Sequence, residues 1–96
     1  MRRAAKVDGN HKQIVAALHA IGASVQSLAA VGQGVPDLLV GFQNKTFLLE
    51  IKDGQKPPSA RRLTEQQMAW HSAWRGAAVE VVDGVDAALK ALGLVK

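Results

Sequence analysis

Residues 34–52, GVPDLLVGFQNKTFLLEIK, constrain the fold more than any other stretch of the chain. They hold two short apolar runs, 37–42 and 47–52, separated by Gln43, Asn44, Lys45 and Thr46. β-formers broken by a polar segment read as a β-hairpin. A turn centred between Gln43 and Asn44 sets Asp37 opposite Glu50. Opposite residues of an antiparallel pair have Cβ atoms roughly 4.5–5.5 Å apart. Side chains alternate along a strand, so Lys52 shares the face of Glu50. One face is expected to carry Asp37, Glu50 and Lys52 at one end, and the other Leu38, Val40, Phe42, Phe47, Leu49 and Ile51. Away from the charged end both strands are apolar on both faces. That pattern describes a central sheet covered on two sides, by helices or by a partner subunit.

Two carboxylates placed side by side repel, and buried ones need partners. A divalent cation removes the repulsion. Mg²⁺ prefers hard oxygen ligands at about 2.0–2.1 Å and keeps several waters that a substrate phosphate can replace. A lysine beside such an ion can hold or deprotonate an attacking water, or offset charge growing on the phosphate. The constellation suits metal-assisted phosphodiester hydrolysis. The bland alternative is Asp37 as a turn acid after Pro36, with Glu50 and Lys52 as a surface ion pair.

Pro36-Asp37 followed by Glu50-Ile51-Lys52 matches the proline–aspartate … acid-x-lysine pattern of restriction-endonuclease-like nucleases. The surroundings sharpen the match: GVPDLLVG at 34–41, LEIKDG at 49–54, PSARRLT at 58–64 and Gln67 occur in that order. Together they closely resemble the small stand-alone VRR-NUC domains of phages and bacteria, over about residues 8–82. The resemblance implies a Mg²⁺- or Mn²⁺-dependent endonuclease in which Asp37, Glu50 and the Ile51 backbone carbonyl bind the ion. Lys52 would assist the water and balance charge, and Gln67 would orient Lys52 or a water. The resemblance further implies a homodimer cutting branched DNA, notably four-way junctions, in the cytoplasm of a bacterial or phage-infected cell. In that family the first helix often supplies a glutamate to the metal, where this chain has Gln13, a poor Mg²⁺ ligand. Gln13 is read as a water or phosphate holder, or as an exposed helix glutamine.

A chain of 96 residues is expected to form one domain over 1–96, with a basic arm at 1–7. The net charge of +4 suits a polyanionic partner. There are no cysteines, which excludes disulfides and thiolate metal sites. No apolar run approaches the about 18 residues of a membrane span, and no signal peptide is expected.

Asp8 or Asn10 can cap a helix running to about Ile21, with Ile14, Val15, Leu18 and Ile21 on its buried face. Residues 23–29 read as a strand. Gly32 and Gly34 mark a loop before Asp37, either a simple connection or a flexible approach for a phosphate backbone. Residues 53–60 form a second loop. Lys56 in it, and Arg61 and Arg62 just after it, are candidate contacts to DNA phosphates, against a plain solvated charge run. Thr64 should cap a helix from Glu65 to about Arg75, closed by Gly76. Its capping box would occupy Gln67, the competing role for that residue. Leu63, Met68, Trp70 and Trp74 should pack this helix, and His71 reads as a base or, with no second catalytic feature near it in sequence, as a surface residue. Residues 77–82 read as a strong strand, and Asp83 as the cap of a last helix over 85–92, with Leu89 and Leu92 inward and Gly93 as its stop. The expected class is α/β, more exactly an α+β-like mixed sheet with a restriction-endonuclease-like core, in the order α-β-β-β-α-β-α. No sequence-reading module is visible, so specificity would come from DNA shape and backbone contacts. Flap or duplex nicking, restriction-like cutting and a non-catalytic nucleic-acid-binding module are the alternatives.

Overall fold

A computed structural model describes residues 9–94; the expected basic arm at 1–7 and a cap at Asp8 lie outside them. The elements are α1 (His11–Ala20), β1 (Ser24–Ser27), β2 (Leu38–Phe42), β3 (Lys45–Ile51), α2 (Glu65–Ala73), β4 (Glu80–Val82) and α3 (Val85–Ala91), with a 3₁₀ turn at Pro58–Arg61 before α2. This is a small α+β protein with one four-stranded mixed sheet in the order β1-β2-β3-β4. β1, β2 and β3 pair antiparallel, while β4 returns after α2 to lie parallel to β3.

The hairpin register runs from Leu38↔Leu49 to Phe42↔Lys45. The turn is therefore centred between Gln43 and Asn44, as the sequence indicates, but it is tighter than the four polar residues suggest. Lys45 and Thr46 belong to β3. Gln43 and Asn44 take φ of 52° and 65°, the left-handed pair that a two-residue hairpin loop needs to match strand twist.

Ile14 and Leu18 of α1, Leu38 and Val40 of β2, Leu49 and Ile51 of β3, Val82 of β4, and Ala88 and Leu92 at α3 form the core. They define an inner face of the sheet covered by α1 and α3. The outer face is covered less well. α2 buries no residue completely, and Leu39, Met68, Trp74 and Val81 are exposed. Between α2 and the sheet lies an apolar groove of about 420 Å³, lined by Leu28, Val35, Leu39, Leu48, Trp70 and Trp74 among others. Within one chain, helices thus cover the inner face fully and the outer face in part. Met68 and Trp74 do not pack α2 as the sequence suggests.

Several ends differ from the sequence reading for tertiary reasons. β1 is shorter than 23–29, because β2 offers partners only from Leu38 to Gly41. β4 shrinks from 77–82 to its last three residues, which are those that β3 pairs. α2 ends at Ala73, before Arg75 and Gly76. Trp74 leaves the helix with extended backbone, and Gly76 lies against its indole. α3 begins after Gly84 without a side-chain cap. Asp83 instead faces Arg61, and its carbonyl accepts from Gly54 N–H and Asn10 Nδ2. Asn10 likewise stands at the start of α1 without capping it. Its Nδ2 bridges the carbonyls of Lys52 and Asp83 at 3.1 and 3.0 Å. Among the described residues no helix is long and apolar enough to cross a membrane.

Candidate active site

The site forms where β2 enters and β3 leaves the hairpin. Asp37 precedes β2 and is fixed twice. Its Oδ2 accepts the Ile51 N–H at 2.7 Å, and its carbonyl accepts the Leu28 N–H at 2.7 Å. Extending the register by one pair sets Asp37 opposite Glu50. The N–H and C=O of one strand residue point to the same side. The Ile51 carbonyl is therefore turned toward the side from which Asp37 receives the Ile51 N–H. Pro36, buried before the strand, has no N–H to leave unsatisfied.

Glu50 is 1% exposed, the one buried charged residue among those described. Burial of a carboxylate is costly without partners, and α2 supplies them. Gln67 Nε2 donates to Glu50 Oε2 at 3.1 Å, while Gln67 Oε1 accepts from Lys52 Nζ at 3.0 Å. The same Oε1 accepts the Thr64 N–H at 2.9 Å, and Thr64 Oγ1 accepts the Gln67 N–H at 3.1 Å. The capping box and the contact to Lys52, competing readings in the sequence, are both made by one side chain. An amide suits this place because it offers an acceptor to the ammonium and a donor to the carboxylate. The bland reading of Glu50 and Lys52 as a surface pair does not hold, since Glu50 is buried and Gln67 stands between them.

His71 is the residue that sequence reasoning misplaced. It is not on the surface: its side chain is 14% exposed and its Nε2 lies 3.4 Å from Glu50 Oε1. Burial, and then the positive charge of Lys52, hold its pKa below the ordinary histidine value. The signal for it was present, because Gln67 and His71 are four apart and so share a helix face. What seats that face over Glu50 is Gly34. A Cβ there would lie 2.3 Å from the Gln66 carbonyl oxygen, and Gly34 has φ of +83°. Gly34 is therefore closed against the first turn of α2, whereas a Cβ built at Gly32 would meet nothing within 4 Å.

The other candidates lie at or beyond the rim. Lys56 and Arg62 are exposed. Arg61 faces Asp83 at 3.7 Å, a half-exposed pair of a kind worth about 0–1 kcal/mol, which a phosphate can displace. Gln13 is exposed on α1, and no hydrogen bond ties it to Asp37, Glu50 or Lys52. Among the described residues no group of three or more His, Asp or Glu side chains is spaced to hold a metal ion. The donor set is nonetheless chemically matched to Mg²⁺ or Mn²⁺: two carboxylates and a carbonyl, all hard oxygens, with the remaining positions left to water.

The chain matches no protein-family model, no curated protein and no solved structure.

Proposed function

We propose that the chain is a Mg²⁺- or Mn²⁺-dependent endodeoxyribonuclease with a restriction-endonuclease-like core, related to stand-alone VRR-NUC domains, that cuts branched DNA as a homodimer. The observation that carries this reading is the Lys52–Gln67–Glu50 link beside Asp37, at the open end of the hairpin. Asp37, Glu50 and the Ile51 carbonyl would hold the ion. When bound, the ion polarises the scissile phosphate and makes a bound water more acidic. Lys52, kept in place by Gln67 Oε1, holds the attacking water or offsets charge growing on the phosphate. Lys56, Arg61 and Arg62 follow β3 and offer cations to the DNA backbone on the way to α2. The apolar groove and the exposed Leu39, Met68, Trp74 and Val81 support a second copy on the outer face. A homodimer would present two sites, suited to paired nicks across a junction.

A non-catalytic nucleic-acid-binding module is the second reading, favoured by the neutral, outlying Gln13 and by the lack of a third acidic ligand among the described residues. One experiment separates them. Purified protein with Mg²⁺ or Mn²⁺ is given a labelled panel of linear duplex, single strand, 5′ flap, splayed arm and four-way junction. Symmetric paired nicks confined to the junction are the expected result. Cutting of every duplex form would replace the junction reading with a flap, nicking or restriction-like nuclease. Salt-sensitive binding without cutting would refute catalysis.

A further inference from the structure

We propose that His71 is a positioning residue for Glu50: the imidazole holds one carboxylate oxygen from α2 while Gln67 holds the other. Its consequence for metal binding rests on the nuclease reading above. The two donors lie one helical turn apart and address different oxygens, Gln67 Nε2 on Oε2 at 3.1 Å and His71 Nε2 by Oε1 at 3.4 Å. A carboxylate hydrogen-bonded at Oε2 and closely approached at Oε1 from one rigid element is restrained in rotation about its last bond, so α2 biases the plane in which its lone pairs point.

The imidazole is itself held in place. Its edge meets Trp70, with ring centroids 6.5 Å apart and planes at 83°, and Trp70 stacks on Trp74 at 4.8 Å and 14°. Aromatic pairs favour these edge-to-face and offset arrangements, and each restrains its neighbour. At 3.4 Å from Glu50 Oε1 the ring makes a close contact without a hydrogen bond, and His71 Nε2 is a buried nitrogen with no hydrogen-bond partner of its own among the described residues. Contacts of this kind commonly tighten when substrate and metal are bound. The clamp requires the ring proton on Nε2, since a bare nitrogen facing a carboxylate oxygen would repel it.

The test needs one measurement that depends on metal and one that does not. Mn²⁺ is titrated calorimetrically into wild type, His71→Leu and His71→Gln, with circular dichroism to confirm that each variant keeps its helix content. Glutamine restores an N–H near the Nε2 position and leucine does not. Outer-sphere partners of a metal ligand are worth about 10–100-fold in affinity, so His71→Leu should weaken Mn²⁺ binding by at least about 10-fold. His71→Gln should recover most of the loss. Wild-type affinity in His71→Leu, or an equal loss in both variants, would overturn the assignment, the second because packing alone would explain it. Long-range ¹H–¹⁵N spectra of the metal-free protein at neutral pH should show His71 protonated at Nε2. Protonation at Nδ1 alone would overturn the Glu50 contact whatever the metal result. Absence of Mn²⁺ heat in wild type, with the Nε2 tautomer present, would refute the metal reading and leave the carboxylate clamp standing.

Discussion

Replacing Gly34 by alanine should do more damage than its position in a loop suggests. Two costs act together. At φ of +83° an L-residue is disfavoured by about 1–2 kcal/mol. The new methyl would also lie 2.3 Å from the Gln66 carbonyl oxygen and 2.6 Å from its carbon, where ordinary contact begins at 3.4 Å. The shortfall of about 1.1 Å (3.4 − 2.3) is against backbone atoms, which have no rotamer to change. α2 must back away, and forced shifts of this kind cost about 1–3 kcal/mol. The total is about 2–5 kcal/mol. The same displacement would carry Gln67 from 3.0 and 3.1 Å to about 4 Å from Lys52 and Glu50, beyond hydrogen bonding. Misplacement by about 1 Å can cost 100-fold in rate. Gly22 provides the control. It has φ of +87° and nothing within 4 Å of a built Cβ, so Gly22→Ala should incur only the backbone cost of about 1–2 kcal/mol. Urea unfolding of both variants, with cleavage rates on the best substrate of the panel, measures the difference. Equal destabilisation of the two variants, with wild-type cleavage by Gly34→Ala, would show that this contact does not seat α2.

Lys52→Ala should reduce cleavage to background while leaving the urea midpoint near wild type, because Lys52 is only partly buried at the sheet end; cutting at the wild-type rate would remove it from the mechanism. Asp37→Asn keeps an oxygen for the Ile51 N–H, so it should fold, yet show little Mn²⁺ heat in calorimetry; heats equal to wild type would strike Asp37 from the ligand set. Thr64→Ala should cost about 1 kcal/mol as a lost cap with cleavage retained, whereas Gln67→Ala should lose both stability and cleavage; matched effects on cleavage would reduce Gln67 to a cap. If a second copy covers the groove, Leu39→Glu should shift sedimentation toward monomer, and an unchanged profile would place the dimer contact elsewhere.

The hairpin was legible because a short turn fixes register, and register fixes faces. Leu38 to Phe42 and Phe47 to Ile51 needed only alternation and the turn centre to set Asp37 opposite Glu50. Residues 77–79 were misread because strand propensity does not supply a partner, and β3 pairs β4 only at Leu49, Glu50 and Ile51. Asn10 and Asp83 have the composition of helix caps, and that local preference was overridden by contacts across the fold. Asn10 instead joins the ends of β3 and β4. His71 was hidden for a related reason. A nearly uniform distribution of apolar and polar residues along α2 does not announce which face meets the sheet, and the buried carboxylate that selects that face lies 21 positions earlier (71 − 50).

Gln67 ties the start of a helix to the chemistry of the site. α2 has nine residues, and isolated helices shorter than about 12–15 residues are marginal in water. It buries no side chain completely, so packing against the sheet does not hold it as the core holds α1. What fixes it is polar and local: the Thr64–Gln67 box, the amide link to Glu50 and Lys52, and the close approach of Gly34. The dependence runs both ways. Fraying the first turn of α2 would release Lys52 and leave Glu50 without its amide donor, and losing the Glu50 partner would weaken the turn. In the nuclease reading, the groove beside Trp70 and Trp74 then matters to the chemistry through α2. The helix that lines the groove with Trp70 and Trp74 is the one that carries Gln67 and His71 to Glu50.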